Sequence, residues 1–136
     1  MDTDVTVAGL RSDAGASRQL LVSALTNQFE LLLSVPLMLE YEAVLKRPEN
    51  LKAAGATHDD VDAILDALAA NGVAVMPTFS WRPELSDPGD EMVLETAVNG
   101  QADIIVTFNV AHLSKGARKF GILALRPREG LRMLEV

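Results

Sequence analysis

The sequence predicts an α/β protein: a three-layer α/β/α sandwich with a mainly parallel sheet. Three observations carry that expectation. Short continuous apolar runs, FELLLSV (29–35), VAVMP (73–77), ADIIVTF (102–108) and GILAL (121–125), have the length and character of strands buried on both faces. Amphipathic stretches separate them, which is the alternation of βαβ units with right-handed crossovers. The composition is 49% hydrophobic but only 4% aromatic, so Leu, Val, Ile, Ala and Met must build the core, which suits helices packed on a buried sheet. A chain of 136 residues is enough for one such domain, expected to span residues 1–136.

Each element has its own local reason. Val5 to Leu10 reads as a buried segment, and if Val5 begins a helix, Asp2 or Asp4 can cap it. A helix is expected over Ser17–Gln28, where Leu20, Leu21, Ala24 and Leu25 recur at helical spacing. Pro36 at a first-turn position opens a helix through Lys46, which Pro48 closes by disfavouring helical geometry at Arg47. Thr57 is the expected N-cap of a helix over Asp59–Asn71, striped by Val61, Ile64, Leu65 and Leu68 and stopped by Gly72. TFSWRPELSDPG reads as a loop, followed by a helix from Asp87 to Asn99 with Gly100 behind it. A short helical or irregular stretch links the last two strands, and a final helix follows Pro127.

The bulk chemistry narrows the function. A formal charge of -7, from 12 basic and 19 acidic residues, argues against holding nucleic acid by bulk electrostatics but not against reaching phosphates through a divalent metal. Lys115, Arg118, Lys119, Arg126, Arg128 and Arg132 concentrate basic charge near the C-terminus, as a solvated face or a phosphate-contacting strip. With no cysteine, disulfides, Cys-ligated zinc and thiol catalysis are excluded. No apolar run approaches the roughly 20 residues of a membrane span and no basic-then-apolar leader is present, so a soluble, cytoplasmic protein without a membrane partner is expected.

In an α/β fold the reactive groups collect beyond the carboxyl ends of the strands. Asp90 shares a helical face with Val93, Leu94 and Ala97, which aims it inward at the start of its helix; equally, Asp87 and Asp90 in DPGD can form a capping box. Asn109 follows the strand DIIVTF, with Thr107 two residues back on the same face, although an Asn there is also an ordinary turn residue. Glu40 and Glu42 cannot be told apart by periodicity, because their helix is apolar nearly all round; one can sit near a site while the other meets Lys46 at i+4. Acids at 2–4, 40–42 and 87–91 and Asn109 thus fall near predicted strand ends, the arrangement a hard cation with oxygen ligands requires.

MDTDVTVAGL, LLLSVPLMLEYEAVLKRPE, DPGDEMVLETAVNGQADIIVTFN and FGILALRPREGL, in that order, resemble the PIN-domain family, in particular its VapC-like branch of toxin components from toxin–antitoxin pairs. The resemblance spans essentially the whole chain. It implies a ribonuclease that uses Mg²⁺ or Mn²⁺ on a cluster of acids to cleave single-stranded RNA, with an antitoxin partner and a homodimeric state. Residue by residue, it assigns the acids to Asp2, Glu40 and Asp90, the fourth metal position to Asn109, and the hydroxyl beside the site to Thr107. Asp4 stands where relatives usually carry Asn. Losing one carboxylate to Asn109 implies weaker or single-metal binding.

Relatives also carry an apolar strand before the first Asp, where this sequence has only Met1. The expectation is therefore that the first strand is missing from this sequence, leaving a gap or unpaired edges in the sheet. Two other readings compete. A degenerate PIN-like binding module would keep the fold without the metal chemistry. A haloacid-dehalogenase-like phosphotransferase would use DTDVT as its nucleophile motif and IIVTFN as its second, although its metal acids should follow the Thr strand, whereas those at 87–90 precede it.

Overall fold

A computed structural model describes residues 1–76 and 88–134. The elements are α1 (Thr3–Arg11), α2 (Ala16–Leu25), β1 (Leu32–Leu33), α3 (Val35–Leu45), α4 (Pro48–Ala54), α5 (His58–Asn71), β2 (Val73–Ala74), α6 (Pro88–Asn99), β3 (Ile104–Val106), α7 (Val110–Arg118), β4 (Leu123–Leu125) and α8 (Pro127–Leu134). Both strand pairings are parallel, as the helix-separated apolar runs predict. They form two separate pairs, β1 with β2 and β3 with β4, instead of one continuous sheet.

Capping chemistry explains why the strands are shorter than their apolar runs. Ser34 leaves the FELLLSV strand to become the N-cap of α3, its hydroxyl accepting from the Leu37 N–H at 3.3 Å. Thr96 gives its hydroxyl proton to the Met92 carbonyl at 2.8 Å, so the Ser34 hydroxyl donates to Thr96 at 2.7 Å and ties the start of α3 to α6. Thr57 caps α5 with a reciprocal pair, accepting from Asp60 N–H at 3.1 Å while the Asp60 carboxylate accepts from Thr57 N–H at 2.9 Å.

Two helices go beyond the sequence expectation. Pro48 does follow the end of α3, but it also occupies the first turn of α4, where its missing N–H costs nothing. That helix ends at Gly55, whose φ of 65° suits a residue without Cβ. Thr3–Arg11 is helical from its third residue, with Asp2 at the N-cap position but without a side-chain cap bond. α1 and α2 pack closely at Gly9, where an added Cβ would lie 3.0 Å from the Ser17 carbonyl oxygen. Arg18 of α2 then donates to the Gly9 and Leu10 carbonyls, closing the C-terminal end of α1.

The core joins Leu37, Tyr41 and Leu45 of α3, Val61, Leu65 and Leu68 of α5, Val93, Leu94 and Ala97 of α6, Ile105 of β3 and Leu113 of α7. α6 therefore presents the Val93–Leu94–Ala97 face inward as its periodicity demands, and Asp90, on the same face, is 6% exposed. The Asp87 half of the expected capping box lies outside the described residues. Among the described residues no helix is long and apolar enough to cross a membrane.

Candidate functional site

β3 ends at Val106, and the two residues beyond it face the start of the chain. The Asp2 N–H donates to the Val106 carbonyl at 2.8 Å, which lays the N-terminus alongside the end of the strand. The Thr107 hydroxyl then donates to the Asp2 carboxylate at 2.6 Å, a charge-assisted bond with both groups buried. The same hydroxyl oxygen accepts from the Asn109 N–H at 2.9 Å. The Asn109 side-chain amide donates to Asp4 Oδ2 at 3.2 Å. Asp2, Thr107, Asn109 and Asp4 are thus one hydrogen-bonded set at the carboxyl end of a parallel strand, where α/β folds place reactive groups.

Tyr41 anchors this end of α1. It is fully buried, and its hydroxyl donates to the Met1 carbonyl. Burial pushes the phenol well above its ordinary range, against the opposing effect of a hydrogen bond with Thr6. Burial also lowers the Met1 amine from 8.0 to about 6, with the neighbouring Asp2 charge acting the other way. Neither Tyr41 nor Thr6 was singled out by the sequence, although Tyr41 directly follows Glu40 in the helix that carries the candidate acid.

The structure separates the two glutamates that periodicity left open. Glu42 is exposed and meets Lys46 at 3.4 Å, and Lys46 also reaches Asp62 at 2.7 Å. The Asp62 hydrogen bond is the main cause holding Lys46 above its ordinary value. Glu42 therefore belongs to a surface ion-pair group, while Glu40 is half-buried on α3. Asp90 approaches His112 of α7, with Oδ2 3.8 Å from Nδ1; the imidazole is exposed, so the contact is an ion pair only when His112 is protonated. His112 was missed because the stretch after Asn109 carries no strong sequence pattern. Its one signal is position, three residues past Asn109 on the same helical turn.

Among the described residues no three Asp, Glu, His or Cys side chains are gathered into a ready metal-ligand group. Hydrogen bonds join Asp2 to Asn109 through Thr107, and Asp90 lies beside His112, but no such bond joins Glu40 to either pair. In donor type the residues suit a hard divalent cation. Asp2 is a buried carboxylate fixed by one neutral hydroxyl, with no Lys or Arg in ion-pair range among the described residues, so its charge is uncompensated by a cationic side chain.

Thr107→Val keeps the shape and removes the hydroxyl that serves both the Asp2 carboxylate and the Asn109 N–H. It is expected to cost about 2–3 kcal/mol at neutral pH, because a charged acceptor is left without its donor. Urea denaturation measures this, and Thr107→Ser, which retains the hydroxyl, should lose less than half as much.

The family model for the PIN domain matches residues 1–111. Searches of curated proteins and of solved structures gave no match.

Proposed function

The chain belongs to the PIN-domain family, and from that premise we propose that it is a divalent-metal-dependent endoribonuclease acting on single-stranded RNA. PIN domains are generally nucleases and usually bind divalent metals. The observation that carries the reading is the buried Asp2 carboxylate, held by Thr107 at the carboxyl end of β3, with Asn109 on the same hydroxyl. The expected assembly is a homodimer that serves as the toxin of a toxin–antitoxin pair and is held in check by a cognate antitoxin.

Asp2, Glu40, Asp90 and the side-chain carbonyl of Asn109 are the residues that would hold Mg²⁺ or Mn²⁺. When bound, the cation neutralises phosphate charge and lowers the pKa of water at the reacting phosphorus. Thr107 holds the Asp2 carboxylate in one orientation, which limits the reorganisation needed for binding. Asp4 draws the Asn109 amide nitrogen toward itself and so fixes which face the amide oxygen presents. The basic residues of α7 and α8, Lys115, Arg118, Arg128 and Arg132, supply cations for the phosphate backbone on a chain whose net charge is otherwise negative.

The test is cleavage of a fluorescent single-stranded RNA with Mg²⁺, Mn²⁺ or EDTA. Activity that survives EDTA would refute the metal-dependent mechanism. A second reading, a PIN-like binding module without catalysis, is favoured by the absence of a three-acid group among the described residues. The two part on metal binding: the nuclease should show a Mn²⁺-dependent rise in melting temperature, and the binding module should not.

Asn109→Asp adds a carboxylate to the donor set. Its expected result is Mn²⁺ affinity tighter by roughly tenfold, since ligand charge tunes such sites. The metal-free variant should melt slightly earlier than the parent, because the Asn109 amide donor to Asp4 becomes a like charge. Melting curves titrated with Mn²⁺ check both.

A further inference from the structure

β1 and β3 border one cavity of about 330 Å³, lined on one side by Leu31 and Leu32 and on the other by Ile104 and Val106. The pairing pattern says which backbone groups face it. Leu31 and Leu33 give their carbonyls to Val73 and Val75 of the β2 segment, so alternation turns the N–H and C=O of Leu32 away from β2. Asp103 gives its carbonyl to Leu123, and the Thr107 N–H goes to Leu125, so Ile104 and Val106 face away from β4. The Val106 carbonyl proves the direction, because it is the group that accepts from Asp2. Two strand edges of the same polarity therefore confront each other across an apolar slot, and Met1, which also lines it, enters at its carboxyl end.

We infer that this slot seats an extended apolar strand joined to the amino side of Met1 and parallel to both β1 and β3. The Asp2–Val106 bond is already the last rung of that ladder and fixes its register. In a parallel pairing every second residue serves the same neighbour. The residue immediately before Met1 thus donates to the Ile104 carbonyl and accepts from the Val106 N–H, while Met1 and the residue two before it face Leu32. About four added residues, at ~3.3 Å each, traverse the described length of β3 and its flanking Asp103. Glu30 and Asp103 stand exposed at the entry end of the slot, so the strand's amino end carries a cation there, followed by aliphatic residues. The result joins the two strand pairs into one five-stranded parallel sheet. This inference is independent of the nuclease reading.

The experiment compares three forms of the chain: as it stands, with a Lys-Ile-Val-Val segment ahead of Met1, and with a Gly/Ser segment of equal length. Hydrogen exchange is read at Leu32, Ile104 and Val106, together with melting temperature. The expected result is at least about tenfold slower exchange at those three amides and a higher melting temperature in the aliphatic form alone. Equal behaviour of the aliphatic and Gly/Ser forms would overturn the inference. So would protection of the same amides in the unextended chain that grows with protein concentration, which would make the slot a contact between copies. A free Lys-Ile-Val-Val peptide that protects these amides when the fused segment does not would overturn the covalent continuity.

Discussion

Asp90→Asn is expected to lower Mn²⁺-dependent RNA cleavage by about 100-fold or more, beyond what the loss of a group merely supporting a ligand costs. Its unfolding midpoint should stay within about 1 kcal/mol of the parent. The separation of the two effects follows from geometry. Asp90 sits in the first turn of α6 and is 6% exposed, held on the core-facing side by Val93, Leu94 and Ala97. An amide keeps that shape, and the contact it weakens, with an exposed His112 at 3.8 Å, contributes little in solvent. Cleavage of a fluorescent RNA, paired with urea denaturation, reads both quantities; a variant that cuts as well as the parent would remove Asp90 from the mechanism.

Leu94→Ala, one helical turn further on, should do the opposite. Leu94 is fully buried in the common core, and its truncation removes transfer energy and leaves a cavity, for an expected loss of about 3–4 kcal/mol. That is a large fraction of the 5–15 kcal/mol that holds a domain of this kind together. The denaturation midpoint should fall accordingly. Protein that remains folded should keep its RNA cleavage and metal response within a few-fold, since the removed methyl groups carry none of the oxygen chemistry. Together the two substitutions divide α6 into a reactive first turn and a supporting second one.

α6 was legible from sequence because its periodicity is local: one apolar stripe fixes both the helix and the direction of Asp90. The same logic found α5 and its Thr57 cap, and the parallel pairing of all four apolar runs. It overextended the strands, because an apolar run records burial and not ladder bonding; Ser34 is buried with Leu33 but works for α3. α4 was hidden by Pro48, which ends one helix and begins another with the same ring. Glu40 and Glu42 could not be separated on an apolar-all-round helix, and Asp62, which draws Lys46 and Glu42 to the surface, comes from a different helix. The pairing of Asp2 with Thr107 is of the same kind, a tertiary contact with no trace in either local segment.

Asp2 lies 105 residues from Thr107, and Asp4 the same distance from Asn109, so nearly the whole described chain is the loop that these two contacts close. The entropic cost of closing a loop grows with its length, and contacts this remote are rewarded only after the intervening helices have condensed. On the ribosome, where chain emerges at about 5–20 residues per second, α1 to α5 can pack while Thr107 is still being synthesised. The first residues of the chain therefore wait for almost the last of the fold, and a nascent nuclease of this design acquires its reactive end only as synthesis finishes.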